Sequence, residues 1–136
     1  MFGSVQASVN LCDQQALDVL PEATARGLGT IAKRSLAGRP WDSSAQPVDA
    51  AQQEYHRRFA ALRAAGLDPA AADLDGVALR FSAYAPGVDC VIVGGADARH
   101  LRKNTAAVTA GPLRPEQLAA IRGAFGRAAT NWRGLI

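Results

Sequence analysis

Cysteine is scarce in this chain: Cys12 and Cys90 are the only two among 136 residues, and they form no CxxC pair. A secreted scaffold stapled by disulfides would carry more, so both are expected to be free, buried thiols. The two histidines, His56 and His100, have no second ligand at the spacing that holds zinc on one helix face, which argues against a metal. No long apolar run is present. The longest nearly apolar stretch, Cys90 to Ala96, falls far short of the roughly 20 residues of a bilayer span, and Met1-Phe2-Gly3 opens no signal peptide. A cytoplasmic protein with no membrane partner is expected. Aromatic residues make up 6%, and they are not interleaved with the basic ones. With a net charge of only +3 and no continuous basic stripe, nucleic acid is not an expected partner. GxSxG and Walker A motifs are missing too, so no hydrolase or P-loop chemistry is indicated.

What is there suits a single globular α/β domain spanning 1–136, with 49% hydrophobic and 20% charged residues. Ser4 to Asn10 alternates, Val5, Ala7 and Val9 against Gln6, Ser8 and Asn10, and this period of two predicts a strand whose polar face looks into a mouth or a missing neighbour. Gln14 to Leu20 predicts a helix that Pro21 interrupts or restarts and Gly27 closes. A strand over Leu28 to Arg34 and a long loop over Ser35 to Pro47 follow. Gln53 to Ala65 carries an apolar stripe of Tyr55, Phe59 and Leu62, opposed by Glu54, Arg57, Arg58 and Arg63. After a turn at Asp68-Pro69, a second helical stripe runs through Leu74, Val77, Ala78 and Phe81. Val88 to Val93 is nearly all apolar, the pattern of a parallel strand covered on both faces. Helices from Asp97 to about Ala110 and from Pro115 to about Ala128 complete the chain. Strands alternating with helices predict parallel pairing.

Gly27-Leu28-Gly29-Thr30-Ile31-Ala32 spells GxGxxA but follows a helix and opens a strand, the reverse of a dinucleotide fingerprint. A different junction has the right order. Val91 to Asp97 passes from strand through Gly94-Gly95 to a helix start, with Arg99, His100, Arg102 and Lys103 in the first turns. Free backbone NH groups and the helix dipole can hold a phosphate there. Alternatively Asp97 caps the helix and the basic residues form a solvated face.

Four ordered blocks carry a family resemblance: Val5-Gln6-Ala7-Ser8-Val9-Asn10-Leu11; Gly27 through Gly38; Pro86-Gly87-Val88-Asp89-Cys90-Val91-Ile92-Val93-Gly94-Gly95; and His100-Leu101-Arg102-Lys103-Asn104. From Ser4 onward the chain resembles the C-terminal portion of the aldo/keto reductase superfamily. The resemblance implies part of a TIM (β/α)8 barrel, strands six to eight with about five helices, binding a nicotinamide dinucleotide. It implies that Gln6 bonds the nicotinamide carboxamide and that Lys33 packs against the ring. It also implies that Arg34, Ser35, Leu36 and Gly38 form the loop over the pyrophosphate, and that Gly94, Gly95, His100 and Asn104 hold the adenosine end. NADP(H) is the family's usual coenzyme. Here Ala96 and Lys103 replace residues that often serve the 2'-phosphate and adenine, so NAD(H) is also open, with Arg99 or Lys103 as substitute cations.

The family's catalytic Asp, Tyr, Lys and His come from earlier strands, which this sequence does not contain. Tyr55 and Tyr84 fall in helical segments and are not replacements. Two expectations follow: a truncated or split reductase that associates with itself or with a second chain supplying the missing strands, or a noncatalytic nucleotide-binding or regulatory module.

Overall fold

The alternating segment at the start forms β1 (Ser4–Ser8), which pairs in parallel with β2 (Gly29–Lys33) from Ser4 opposite Gly29 to Ser8 opposite Lys33. Parallel pairing needs a crossover, and a 3-10 turn at Gln15–Asp18 followed by α1 (Leu20–Ala25) supplies it. Pro21 sits in the first turn of α1, where its missing NH would have no helical partner, so it starts a helix and does not break one. Gly27 then adopts φ +78, the left-handed conformation expected after a helix. This computed structural model describes residues 3–68 and 73–135; Pro69 of the expected Asp68-Pro69 turn lies outside them.

Beyond β2 come α2 (Ala50–Ala64), α3 (Leu74–Ala83), β3 (Cys90–Val91), α4 (Ala98–Thr109) and α5 (Pro115–Ala128). Among the described residues the sheet has three strands in the order β1-β2-β3, all parallel. The α/β class, the strand count and the five helices agree with expectation. α2 starts three residues earlier than its apolar stripe suggested, because Asp49 accepts a hydrogen bond from Gln52 N at 2.8 Å and caps it.

The core lies where β1 runs out into Val9, Leu11 and Cys12, all fully buried, and receives Phe59 and Leu62 from α2, Phe81 from α3 and Ile121 from α5. Four expectations need correcting there. The polar side of β1 does not stay open: Ser8 Oγ donates to Leu135 O at 2.8 Å, and buried Asn10 donates to Arg34 O at 3.1 Å while accepting from Cys12 N at 2.9 Å. Ser4 and Gln6 on that side stay exposed, whereas the C-terminal segment and the β2 loop cover Ser8 and Asn10. β3 is not covered on both faces. It is one of two edge strands, paired with β2 through Ile31–Cys90 and Ala32–Val91, with Ile92 just beyond it 47% exposed. Cys90 is therefore exposed, whereas Cys12 is buried as expected, and both are free thiols. Arg58, assigned to the polar face of α2, is only 3% exposed. It donates to Glu54 Oε1 at 2.8 Å, Cys12 O at 3.3 Å and Arg133 O at 2.7 Å, and its guanidinium lies 4.9 Å from the Trp132 ring centre.

Candidate functional site

β2 ends at Lys33, and the chain then turns through three non-glycine residues in the left-handed region: Arg34 (φ 58), Ala37 (φ 50) and Arg39 (φ 59). Each such residue costs on the order of 1 kcal/mol or more and persists only where its surroundings fix it. Short turn bonds do part of that: Ala37 N to Arg34 O at 2.8 Å and Arg39 N to Leu36 O at 2.7 Å. Asp75, near the start of α3, does more. Its carboxylate accepts from Trp41 Nε1 at 2.8 Å, Arg39 Nε at 3.1 Å and Lys103 Nζ at 3.3 Å. Burial raises the Asp75 pKa, but these donors outweigh it and hold the carboxyl below its ordinary range.

The loop so fixed walls a cavity of about 300 Å³ with the first turns of α2 and the exit of β3. Of the residues singled out in sequence, Arg34, Ser35, Leu36, Gly38 and Gly94 line it together. Gln6 and Lys33 line a second cavity of about 370 Å³, with Ser8, Asp13, Gly134 and Leu135. Lys33 and Arg34 are consecutive in the chain, but no lining residue is shared by the two cavities. Inside the second, burial pushes the Asp13 carboxyl up against the opposing hydrogen bond from Leu135 N at 2.7 Å and the nearby Arg58 and Arg34 charges.

The remaining three residues lie apart from both cavities. Gly95 packs against His100 at the start of α4, where His100 is exposed, and Asn104 is half-buried one turn further along. Asp97 caps α4, accepting from His100 N at 2.9 Å, with Arg99 Nη2 at 3.4 Å and His100 Nδ1 at 3.3 Å. The bond from His100 N is the main reason its pKa is lowered. The Asp97 cap expected at this helix end is formed. Lys103 is drawn to Asp73 Oδ1 at 3.2 Å and Asp75 Oδ2 at 3.3 Å, and the Asp73 bond leads in raising its pKa. Among the described residues no group of three or more side chains could hold a metal ion, and no helix is long and apolar enough to cross a membrane.

One site residue escaped the sequence reading. Tyr55, 2% exposed, lines the first cavity beside Ser35, 1% exposed, and neither Tyr55 OH nor Ser35 Oγ has a hydrogen-bond partner. A tyrosine at the head of an apolar stripe carries no sequence signal for this. Tyr84, by contrast, donates to Val108 O at 2.8 Å at the end of α3.

The aldo/keto reductase family model matches residues 2–125. The chain belongs to the aldo/keto reductase family. Two solved structures similar to it are the apo and holo forms of aldo-keto reductase AKR11C1 from Bacillus halodurans, each 20% identical with a TM-score of 0.70. The apo match covers 90% of this chain and 43% of that one; the holo match covers 89% and 42%. No curated protein matches. The chain therefore spans less than half the length of these solved reductases, and its three parallel strands and helices correspond to an aldo/keto reductase barrel fragment. Members of the family typically bind nicotinamide dinucleotides.

Proposed function

We propose that this chain is the coenzyme-holding part of an aldo/keto reductase, binding NADP(H) or NAD(H) at the two cavities. The observation that carries the reading is the joint placement of Arg34, Ser35, Leu36, Gly38 and Gly94 around one cavity, with Gln6 and Lys33 together in a second. The fit is chemical as well as spatial. The first cavity is lined by Arg34 and by Ser35, whose buried hydroxyl has no partner, residue types that suit phosphate oxygens. The second offers the Gln6 amide for a carboxamide and the Lys33 side chain for an aromatic ring. When bound, a nicotinamide dinucleotide supplies hydride chemistry. The chain's own residues would bind and orient it: Gln6 by hydrogen bonding, Lys33 by packing, Arg34 and Ser35 by anchoring phosphate. Gly94, Gly95, His100 and Asn104 would hold the adenosine end.

Lys103 is already engaged by two carboxylates and Arg99 by Asp97, so a 2'-phosphate would have to compete with Asp73 and Asp75 for its cation. This supports NAD(H) at least as well as NADP(H). Tyr55 lies in the wall of the cavity away from Gln6 and Lys33, and Tyr84 is bonded to a backbone carbonyl, so neither serves as the proton donor that carbonyl reduction needs. The reading places the catalytic Asp, Tyr, Lys and His on strands outside this sequence. It also takes the protein to be cytoplasmic and to associate with a copy of itself or with a complementary chain. Titration of NADPH and of NADH by coenzyme fluorescence tests it. Saturable binding that Lys33→Ala and Ser35→Ala weaken, with no reduction of a generic aldehyde by the chain alone, is expected. An unchanged spectrum for both coenzymes, or turnover by this chain alone, contradicts it.

A further inference from the structure

Residues 131–135 follow α5 and return to the end of β1. Among the described residues, no main-chain to main-chain hydrogen bond joins them to the rest of the chain. Side chains from β1, the turn behind it and α2 hold them. Ser8 Oγ donates to Leu135 O at 2.8 Å, and Leu135 N donates to Asp13 Oδ2 at 2.7 Å. Gln15 Nε2 donates to Trp132 O at 2.8 Å, and Arg58 Nη2 to Arg133 O at 2.7 Å. The segment can therefore swing out by giving up a few side-chain bonds, with no helix or sheet ladder broken. Two of those bonds belong to residues of one cavity: Ser8, Asp13 and Leu135 line the space of about 370 Å³ together with Gln6 and Lys33. Gln6 is exposed there, whereas Ser8 and Asp13 are buried.

We infer that residues 131–135 are an autoinhibitory strap: the main-chain N–H and C=O of Leu135 occupy Asp13 and Ser8, which an amide-bearing ligand gains when the strap is displaced. A hydroxyl donor and a carboxylate acceptor spent on one residue's main chain are the partners that an amide's C=O and N–H require. The inference goes beyond the dinucleotide reading in assigning Ser8, Asp13 and the strap, and rests on that reading for the ligand, a nicotinamide carboxamide. The closed strap lowers apparent affinity in proportion to the fraction of molecules that are open. Gly134 gives the strap its freedom. Its φ is not left-handed, and an added Cβ would meet nothing nearer than Asp13 Oδ1 at 4.0 Å, so alanine fits the closed form while restricting the released one.

The test compares wild type, Gln15→Ala and Gly134→Ala by hydrogen exchange at the Leu135 amide and by calorimetric titration with nicotinamide and with NADH. Gln15→Ala removes one strap bond together with a buried side-chain oxygen that has no partner. Its Leu135 amide should exchange faster and its affinity for both probes should rise about three- to tenfold, the scale of one lost hydrogen bond. Gly134→Ala should shift exchange and affinity the opposite way. NADH affinity that stays constant, or falls, while Leu135 exchange quickens overturns the strap and leaves the dinucleotide reading intact, as does Leu135 exchange that Gln15→Ala leaves unchanged. Nicotinamide binding that tightens in Gln15→Ala, with no NADH binding, supports the strap and overturns the dinucleotide reading. Failure of all three proteins to bind either probe overturns both.

Discussion

Gly87 shows how tightly single residues constrain this fold. It has φ +77, and a Cβ added there would lie 2.5 Å from Pro21 N and 2.6 Å from Leu20 C. Backbone atoms cannot give way as a flexible side chain can, so Gly87→Ala should destabilise by more than about 2 kcal/mol, seen as a lower urea midpoint. Glu54 sets a pH limit of another kind. The hydrogen bond from Arg57 is the largest influence, burial opposes it, and Arg58 adds to it, bringing the carboxyl down from 4.5 to about 2. Because the folded value is the lower one, this stabilisation is complete above pH 4.5 and is lost as pH falls toward 2. Glu54→Gln should flatten the Tm profile across that window, and an unchanged profile would mean the pair adds nothing. Tyr55 and Arg58 mark the limit of what was legible at this scale. Periodicity places a residue on a helix face, but it cannot tell that a guanidinium will be buried under Trp132 or that a phenol will border a cavity.

Elements were more legible than residues. Pro115–Ala128 appears with the expected bounds, and the helix start expected at Asp97 has its cap, with Asp97 accepting from His100 N. β3 was overestimated because an apolar run signals burial only when both neighbouring layers are present, and here it forms the sheet edge. The loop after β2 is where position depends on distant residues. Its strained backbone is tied to α3 and α4 through Asp75, a link between positions 39, 41, 75 and 103 that no local pattern encodes. Asp75→Ala should release the loop, shifting the emission of Trp41 in a Trp132→Phe background and weakening coenzyme binding; unchanged emission would show that the turn bonds suffice. At the other end, Arg58 fastens Arg133, Gln15 Nε2 fastens Trp132 O at 2.8 Å, and Trp132 packs edge-on against Phe125 at 5.6 Å. Arg58→Ala removes the bonds to Cys12 O and Arg133 O and leaves Glu54 to Arg57 alone, so a loss on the order of 2 kcal/mol is expected in denaturant titration.

At the scale of the whole molecule, the chain exposes 7808 Å² of accessible surface. A folded monomer of 14.2 kDa is expected to expose about 6,800 Å². The excess is of the order of the roughly 800 Å² that each partner contributes to a standard interface, and among the described residues β1 and β3 each leave one edge of the sheet unpaired. Association with a copy or with a complementary chain is accordingly expected in light scattering, and a cooperative monomer at all concentrations would contradict it. The central claim concerns the coenzyme, and amide chemical-shift mapping of the 136-residue chain with NADH and NADPH tests it most directly. The account predicts saturable shifts concentrated at Lys33 to Gly38, Val93 to Gly95 and Gln6; no shifts, or shifts confined to other surfaces, would contradict it.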